Sequence, residues 1–265
     1  MGGPSSKGGK GKKPEISDHL LTVRRRLHDA LSLGIKLSDG KVKRWQSKDI
    51  DIQSHALKMM NAFLSCIPSN MLQHPLIQDS VLDMVVALGG ILQSENNNIL
   101  SLAADVSQKL VTTLGNTIHR YPVLDITVSL SHLLSSSQLP VAISSAIALN
   151  HILANLGPTR GKVVKEVWDA LDKADSVGSV VCALQNYVGG TQPTEYFFVM
   201  ITLLESILRK WPLSRYPVWS NRELMINLQR KCADSEISIA ISALKLCSAL
   251  GISSMVILLF CPFVL

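Results

Sequence analysis

Leu139–Leu156, LPVAISSAIALNHILANL, is an uncharged stretch of helix length in which Ala, Ser and β-branched residues replace most of the bulky ones. The same pattern returns at Asn98–Thr113 and at Ser238–Leu250, and more loosely at Asp51–Leu64. Small side chains let helix axes approach closely. A helix that recurs along a chain can bury its apolar face only against a neighbouring copy. The stretch therefore predicts a molecule built by stacking helices.

The spacing of the copies sharpens that expectation. Ala104 aligns with Ala146 at an offset of 42 residues, and the same offset pairs Leu110 with Ile152 and Val111 with Leu153. Asp51–Leu64 aligns with Asn98–Val111 at about 47, matching Ala56 to Ala103 and Phe63 to Leu110. Ala240-Ile241-Ser242 follows Ala142-Ile143-Ser144 by 98 residues, two periods plus an insertion that includes residues 157–193. A helical period of about 40–47 residues is the signature of armadillo and HEAT arrays. The expected fold is all-α, an armadillo/HEAT-like α-solenoid of stacked helical hairpins. An ordinary helical bundle is the competing reading, and the period disfavours it.

Composition agrees. Of the 265 residues, 47% are hydrophobic and 17% charged, which supplies a core and excludes global disorder. Aromatics make up only 5%, so Leu, Ile, Val, Ala and Met must fill that core. The net charge of +6 is uneven, because residues 1–26 carry +5 of it and the remaining chain only +1. A nucleic-acid binder shows its basic stripe on the folded surface as well, so no specific nucleic acid is expected. Cys66, Cys182, Cys232, Cys247 and Cys261 are odd in number and form no CxxC pair, which reads as buried reduced thiols. With neither a signal-peptide core nor an Asn-X-Ser/Thr site, the expectation is a cytoplasmic or nuclear protein.

Three segments are expected: a disordered basic tail over 1–16, a helical repeat domain over 17–250, and an atypical apolar tail over 251–265. Ser17 and Asp49 or Asp51 read as helix starts, His74-Pro75 opens a further helix, and Gly89-Gly90 reads as its weak point. Residues 36–48 read as a polar connection, and no run of alternating strands is evident. Helices are expected at 99–114, 122–134, 162–174 and 177–188; Thr194 reads as the cap of one running to Lys210, and Asp234 or Ser235 opens the last. Residues 212–220, which hold Pro212, Pro217 and Trp219, read as an irregular connection before a helix capped by Asn221.

No catalytic constellation stands out. Asp49-Ile50-Asp51 has the form of a metal-binding carboxylate pair, but beside an apolar helix start it reads as a complement to the helix dipole. Gly157-Pro158-Thr159-Arg160-Gly161-Lys162 is one residue short of a phosphate loop, and Val163 stands where Ser or Thr belongs, so it reads as a helix-ending turn. The seven histidines show no ligand spacing, and the Ser-rich segments contain no nucleophile elbow. No catalytic residue, metal ligand or cofactor is expected.

Two features point towards membranes. Met1–Ser6 fits the myristoylation pattern at Gly2, and Lys7, Lys10, Lys12 and Lys13 would supply an electrostatic second anchor. Leu246–Leu265 is 20 residues without a charge, the length of a bilayer span. The repeat already claims its first residues, and Gly251, Ser253, Ser254 and Pro262 weaken it, so a truncated array is the preferred reading.

Several patches are more distinctive than generic helix: Arg26–Gly34, Lys43-Arg44-Trp45-Gln46, His74–Ile77, Gly189-Gly190-Thr191, Glu195-Tyr196-Phe197 and Trp211–Trp219. Together, over about residues 17–250, they resemble the N-terminal region of plant BTB/POZ domain-containing proteins that carry armadillo-type repeats. The resemblance implies a helical-repeat region preceding a BTB domain, in proteins that act as substrate adaptors of cullin-3 ubiquitin ligases. The sequence departs from that pattern by ending before any BTB domain, so no residue is assigned to cullin-3, which would be a partner only of a longer form. The expected function is a non-enzymatic protein-interaction scaffold with protein partners on the solenoid surface. A membrane-associated helical protein is the alternative.

Overall fold

In the computed structural model, the described residues are 16–38, 40, 42–156, 162–188 and 193–251. Helix α1 (Asp18–Ser32) starts where Ser17 accepts the Leu20 N–H and Asp18 faces the positive helix end. Its buried stripe is Leu20, Leu27, Ala30 and Leu31. The chain then forms a short antiparallel hairpin, β1 (Ile35–Ser38) with β2 (Val42–Trp45), in the register Ile35 opposite Trp45. This corrects the polar connection expected over 36–48. Gly40, at φ +69°, supplies the left-handed residue of the turn.

The helices that follow alternate between two rows. One row holds α2 (Ile50–Cys66), α4 (Asn97–Leu114), α6 (Leu139–Asn155), α9 (Thr194–Lys210) and α12 (Ile237–Ala249), each packed against the next. Their starts are spaced by 47, 42, 55 and 43 residues. The second row holds α3 (Pro75–Ile91), α5 (Leu124–Leu133), α7 (Lys162–Lys173), α8 (Ser176–Val188) and α11 (Arg222–Cys232). The 55-residue interval is longer because both α7 and α8 lie within it. The architecture is an armadillo-type α-solenoid of stacked helical hairpins.

The repeat positions are the core positions. Ala56, Ala103, Ala104 and Ala146 are fully buried, and so are Phe63, Leu110 and Ile152. Helix α6 lies between α4 and α9 in its row and also touches α5, which is why nine of its residues are buried. Buried hydroxyls are largely satisfied within their own helices. Ser107 donates to the Ala103 carbonyl, Thr127 to that of Val123, and Ser131 to that of Thr127. Ser145 of α6 is the exception, fully buried with no hydrogen-bond partner for its hydroxyl among the described residues.

Two local expectations change. Helix α3 runs through Gly89-Gly90 instead of breaking there. A Cβ on Gly90 would lie 2.6 Å from Trp45 Cβ, and one on Gly34 would fall 2.2 Å from the Trp45 ring. Both glycines are contact surfaces for one indole, and Lys43 ties the same hairpin to Asp83 of α3 at 2.6 Å. Residues 212–220 are helical: a 3₁₀ turn (Pro212–Ser214) leads into α10 (Arg215–Ser220).

Candidate protein-interaction surface

The most exposed apolar feature grows out of the Trp211–Trp219 segment. Helix α9 cannot continue past Trp211, because Pro212 has no N–H to donate. The chain turns there, and Ser214 donates its hydroxyl to the Trp211 carbonyl. Val218 is fully buried and holds α10 against the array. Trp211 stacks on Trp168 of α7 with ring centroids 5.0 Å apart and planes at 26°. These inward anchors force the remaining side chains outward. Leu213 is 92% exposed, Tyr216 73% and Trp219 50%.

Beside this corner lies a cleft of about 280 Å³, lined by Trp168, Asp172, Asp175, Ser176, Leu213 and Pro217 among others. Its floor is built at the α7–α8 junction. Asp175 takes a left-handed backbone (φ 46°), and its carboxylate accepts the Gly178 N–H at 3.2 Å. Gly178 is required for that arrangement, since a Cβ there would fall 2.3 Å from the carboxylate. The buried Ser176 hydroxyl has no hydrogen-bond partner among the described residues. The cleft lining thus combines two carboxylates with apolar side chains.

Two further surfaces are polar and already self-paired. Along the α2–α4–α6–α9 row, Lys109 donates to Asn61 Oδ1 and Ser65 Oγ at 2.6 Å, and Ser144 to Asp105 at 2.6 Å. Ser206 donates to Asn150 in the same row. A cleft of about 770 Å³ beside the hairpin is bordered by Trp45, Gln53 and Asn96. There the Trp45 and Gln53 N–H groups both reach the Ser47 carbonyl, and Ser94 donates to Gln53. Side chains that satisfy one another in this way leave fewer groups for a partner.

The candidate residues read from the sequence fall out plainly. The Asp49 carboxylate accepts the N–H groups of Asp51 and Ile52 at 2.8 and 3.2 Å, the geometry of a helix cap. Among the described residues no three His, Cys, Asp or Glu side chains are placed to hold a metal ion. His74 caps α3 through Nδ1. Gly2, residues 157–161 and residues 252–265 lie outside the described residues. Among the described residues no helix is long and apolar enough to cross a membrane. Of the described thiols only Cys247 is buried; Cys66 and Cys232 are half-buried and Cys182 is exposed, which corrects the expectation of uniformly buried cysteines. The exposed corner itself was not assigned a role from the sequence. A signal was present: three of the chain's thirteen aromatic residues fall within Trp211–Trp219, interleaved with two prolines.

A two-row array of stacked helical hairpins defines the class, an armadillo-type repeat protein. Residues 136–253 match the family model described as plant ARM repeat. Over 94% of its length the chain is 39% identical to a BTB/POZ domain-containing protein of Arabidopsis thaliana, and it spans 24% of that relative. The resemblance to plant BTB/POZ domain-containing proteins with armadillo repeats, read above from short patches, is shown by these two matches. Among solved structures, an engineered protein superposes with a TM-score of 0.58 at 14% identity, covering 88% of this chain and 80% of its own, a likeness of fold alone. A designed armadillo repeat protein matches with a TM-score of 0.46 at 13% identity over 90% of this chain and 96% of its own.

Proposed function

We propose that the chain is a non-enzymatic protein-interaction scaffold whose partner docks at the Trp211–Trp219 corner. The observation that carries this reading is the exposure of Leu213 on the 3₁₀ turn and of Tyr216 and Trp219 on α10, a segment fixed by buried Val218 and the Trp211–Trp168 stack. Exposed Tyr and Trp on a rigid support are the residues that dominate binding energy at protein interfaces. Asp172 and Asp175 beside them favour a partner segment that carries an Arg or Lys next to an aliphatic or aromatic anchor.

The likeness to a BTB/POZ domain-containing protein extends the proposal. In a longer form with a BTB domain, the repeat region would hold the substrate while the BTB domain bound cullin-3, in the cytoplasm or nucleus. Residues 17–250 are the proposed substrate-holding unit.

Proximity labelling or pull-down with the full chain, beside a Tyr216→Ala/Trp219→Ala variant, tests the reading. Proteins recovered by the parent should fall at least about tenfold with the variant, while both keep the same helical circular dichroism. Recovery of no protein above control, or of the same set by the variant, would overturn it.

A further inference from the structure

Two cysteines 15 residues apart meet at the α11–α12 hairpin. Cys232 is the last residue of α11, and Cys247 sits on the buried face of α12. Their sulfurs are 3.7 Å apart. The intervening turn is rigidly tied: Lys231 pairs with Asp234 at 2.8 Å, Asp234 accepts the Glu236 N–H at 3.0 Å, and the Ala233 N–H reaches the Arg230 carbonyl. The two thiols therefore face each other by construction. Solvent reaches them unequally, since Cys232 is half-buried and Cys247 is 1% exposed. By contrast, Cys66 faces the imidazole of His19.

We infer that Cys232 and Cys247 form a peroxide-responsive dithiol, closing to an intramolecular disulfide that staples α11 to α12. Closure needs the sulfurs to approach by roughly 1.7 Å, within reach of side-chain rotation on two packed helices. The two sulfurs are within hydrogen-bonding distance, and donation from Cys247 to Cys232 favours the Cys232 thiolate. It holds the Cys232 pKa below the ordinary thiol value and, with burial, pushes that of Cys247 up.

Cys232, the more accessible of the two and the one whose thiolate is favoured, is thus the one that reacts first. Cys232 sulfur attacks one oxygen of hydrogen peroxide, the O–O bond breaks, and the departing hydroxide takes a proton to become water. The resulting sulfenic acid is then attacked by Cys247 sulfur. The S–O bond breaks, the S–S bond forms, and the released hydroxyl leaves as water with the Cys247 proton. Two thiols and one peroxide give one disulfide and two waters, the two electrons passing from the sulfur pair to the peroxide oxygens.

Trypsin cleaves after Lys231 and Lys245, which places the two cysteines on separate peptides, Cys232–Lys245 and Leu246–Leu265. The second peptide also holds Cys261, so the experiment uses the full chain with Cys261→Ser. After stoichiometric hydrogen peroxide and alkylation, non-reducing mass spectrometry should find the two peptides joined, about 2 Da lighter than their sum, and separated by dithiothreitol. The oxidised chain should also unfold at a temperature higher by a few degrees, roughly, because a short loop is closed in the unfolded state. In Cys247→Ser, dimedone should trap a sulfenic acid on Cys232. The inference is overturned if, in a chain that keeps its helical circular dichroism, both cysteines remain alkylatable after oxidation. It is equally overturned if Cys232 proceeds to the sulfinic acid with Cys247 reduced, or joins a second chain.

Discussion

Trp45 shows how a single side chain organises the N-terminal end of the array. Its ring lies against Gly34 and its Cβ against Gly90, so a side chain at either position would have to displace it. Ala at position 90 would gain about 1 kcal/mol of helix propensity. Against this, its Cβ would fall 2.6 Å from Trp45 Cβ and 3.3 Å from the Trp45 carbonyl oxygen, and overpacking of that kind costs about 1–3 kcal/mol. Gly90→Ala should therefore lose about 1 kcal/mol net, read from the urea midpoint, and a stabilised variant would show that the hairpin does not rest on α3. Asp234 gives a second residue-scale outcome. A hydrogen bond from Lys231, then the Glu236 N–H, holds its carboxyl below the usual range. Its folded pKa is lower than its unfolded one, so its contribution is fully present above the unfolded value near about 3.9 and is lost as pH falls through the folded value. Asp234→Asn should flatten the acid side of the stability profile below about pH 4, and an unchanged profile would refute that role.

At the scale of the element, most helix starts were legible and contacts were not. Thr194, which reads as a cap, is instead the first residue of α9 after Pro193, whose ring has no side-chain acceptor to offer. Ser17, Asp49, His74 and Asn221 each cap the helix the sequence placed after them, because a cap is a local contact between a side chain and the next N–H groups. The hairpin was missed although Asp39-Gly40 is a turn signal: its strands are four residues long and carry exposed Lys36, Leu37, Val42, Lys43 and Arg44 in place of an alternating face. Gly89-Gly90 was misread for a related reason. The residue that explains Gly90 lies 45 positions away, in Trp45. Asp49 allows the two readings of the carboxylate pair to be separated by measurement. Asp49→Ala should cost about 1 kcal/mol of stability in thermal or urea unfolding, as loss of an N-cap does. Added calcium or magnesium should shift the parent's unfolding no more than the variant's, and a metal-dependent rise in the parent alone would favour an ion site.

For the whole molecule, the period was legible because equivalent positions are buried in the same way in successive copies. Ala56, Ala103, Ala104 and Ala146 are all fully buried on successive helices of one row, so small size repeats with the architecture. The copy at α12 fits less well for a physical reason. Leu139 and Ile143 of α6 are half-buried and Ala146 fully buried, whereas their counterparts on α12, Ile237, Ile241 and Leu244, are all exposed, Ile237 at 74%. Spaced i, i+4 and i+7, these three form one stripe on a helix that no further row helix covers among the described residues. In a solenoid such a face is buried by the next repeat or left polar, and here it is apolar. The chain should therefore self-associate at micromolar concentration, with a weight-average mass that rises with concentration in sedimentation or light scattering. Ile237→Lys/Ile241→Lys should return it towards the monomer at the same concentration with its helical circular dichroism intact, because both positions are exposed and the charge meets no buried neighbour. A parent chain that is monodisperse and monomeric would contradict this. Association that persists undiminished in the double variant would move the contact to another surface, with the Leu213–Tyr216–Trp219 corner the next to test.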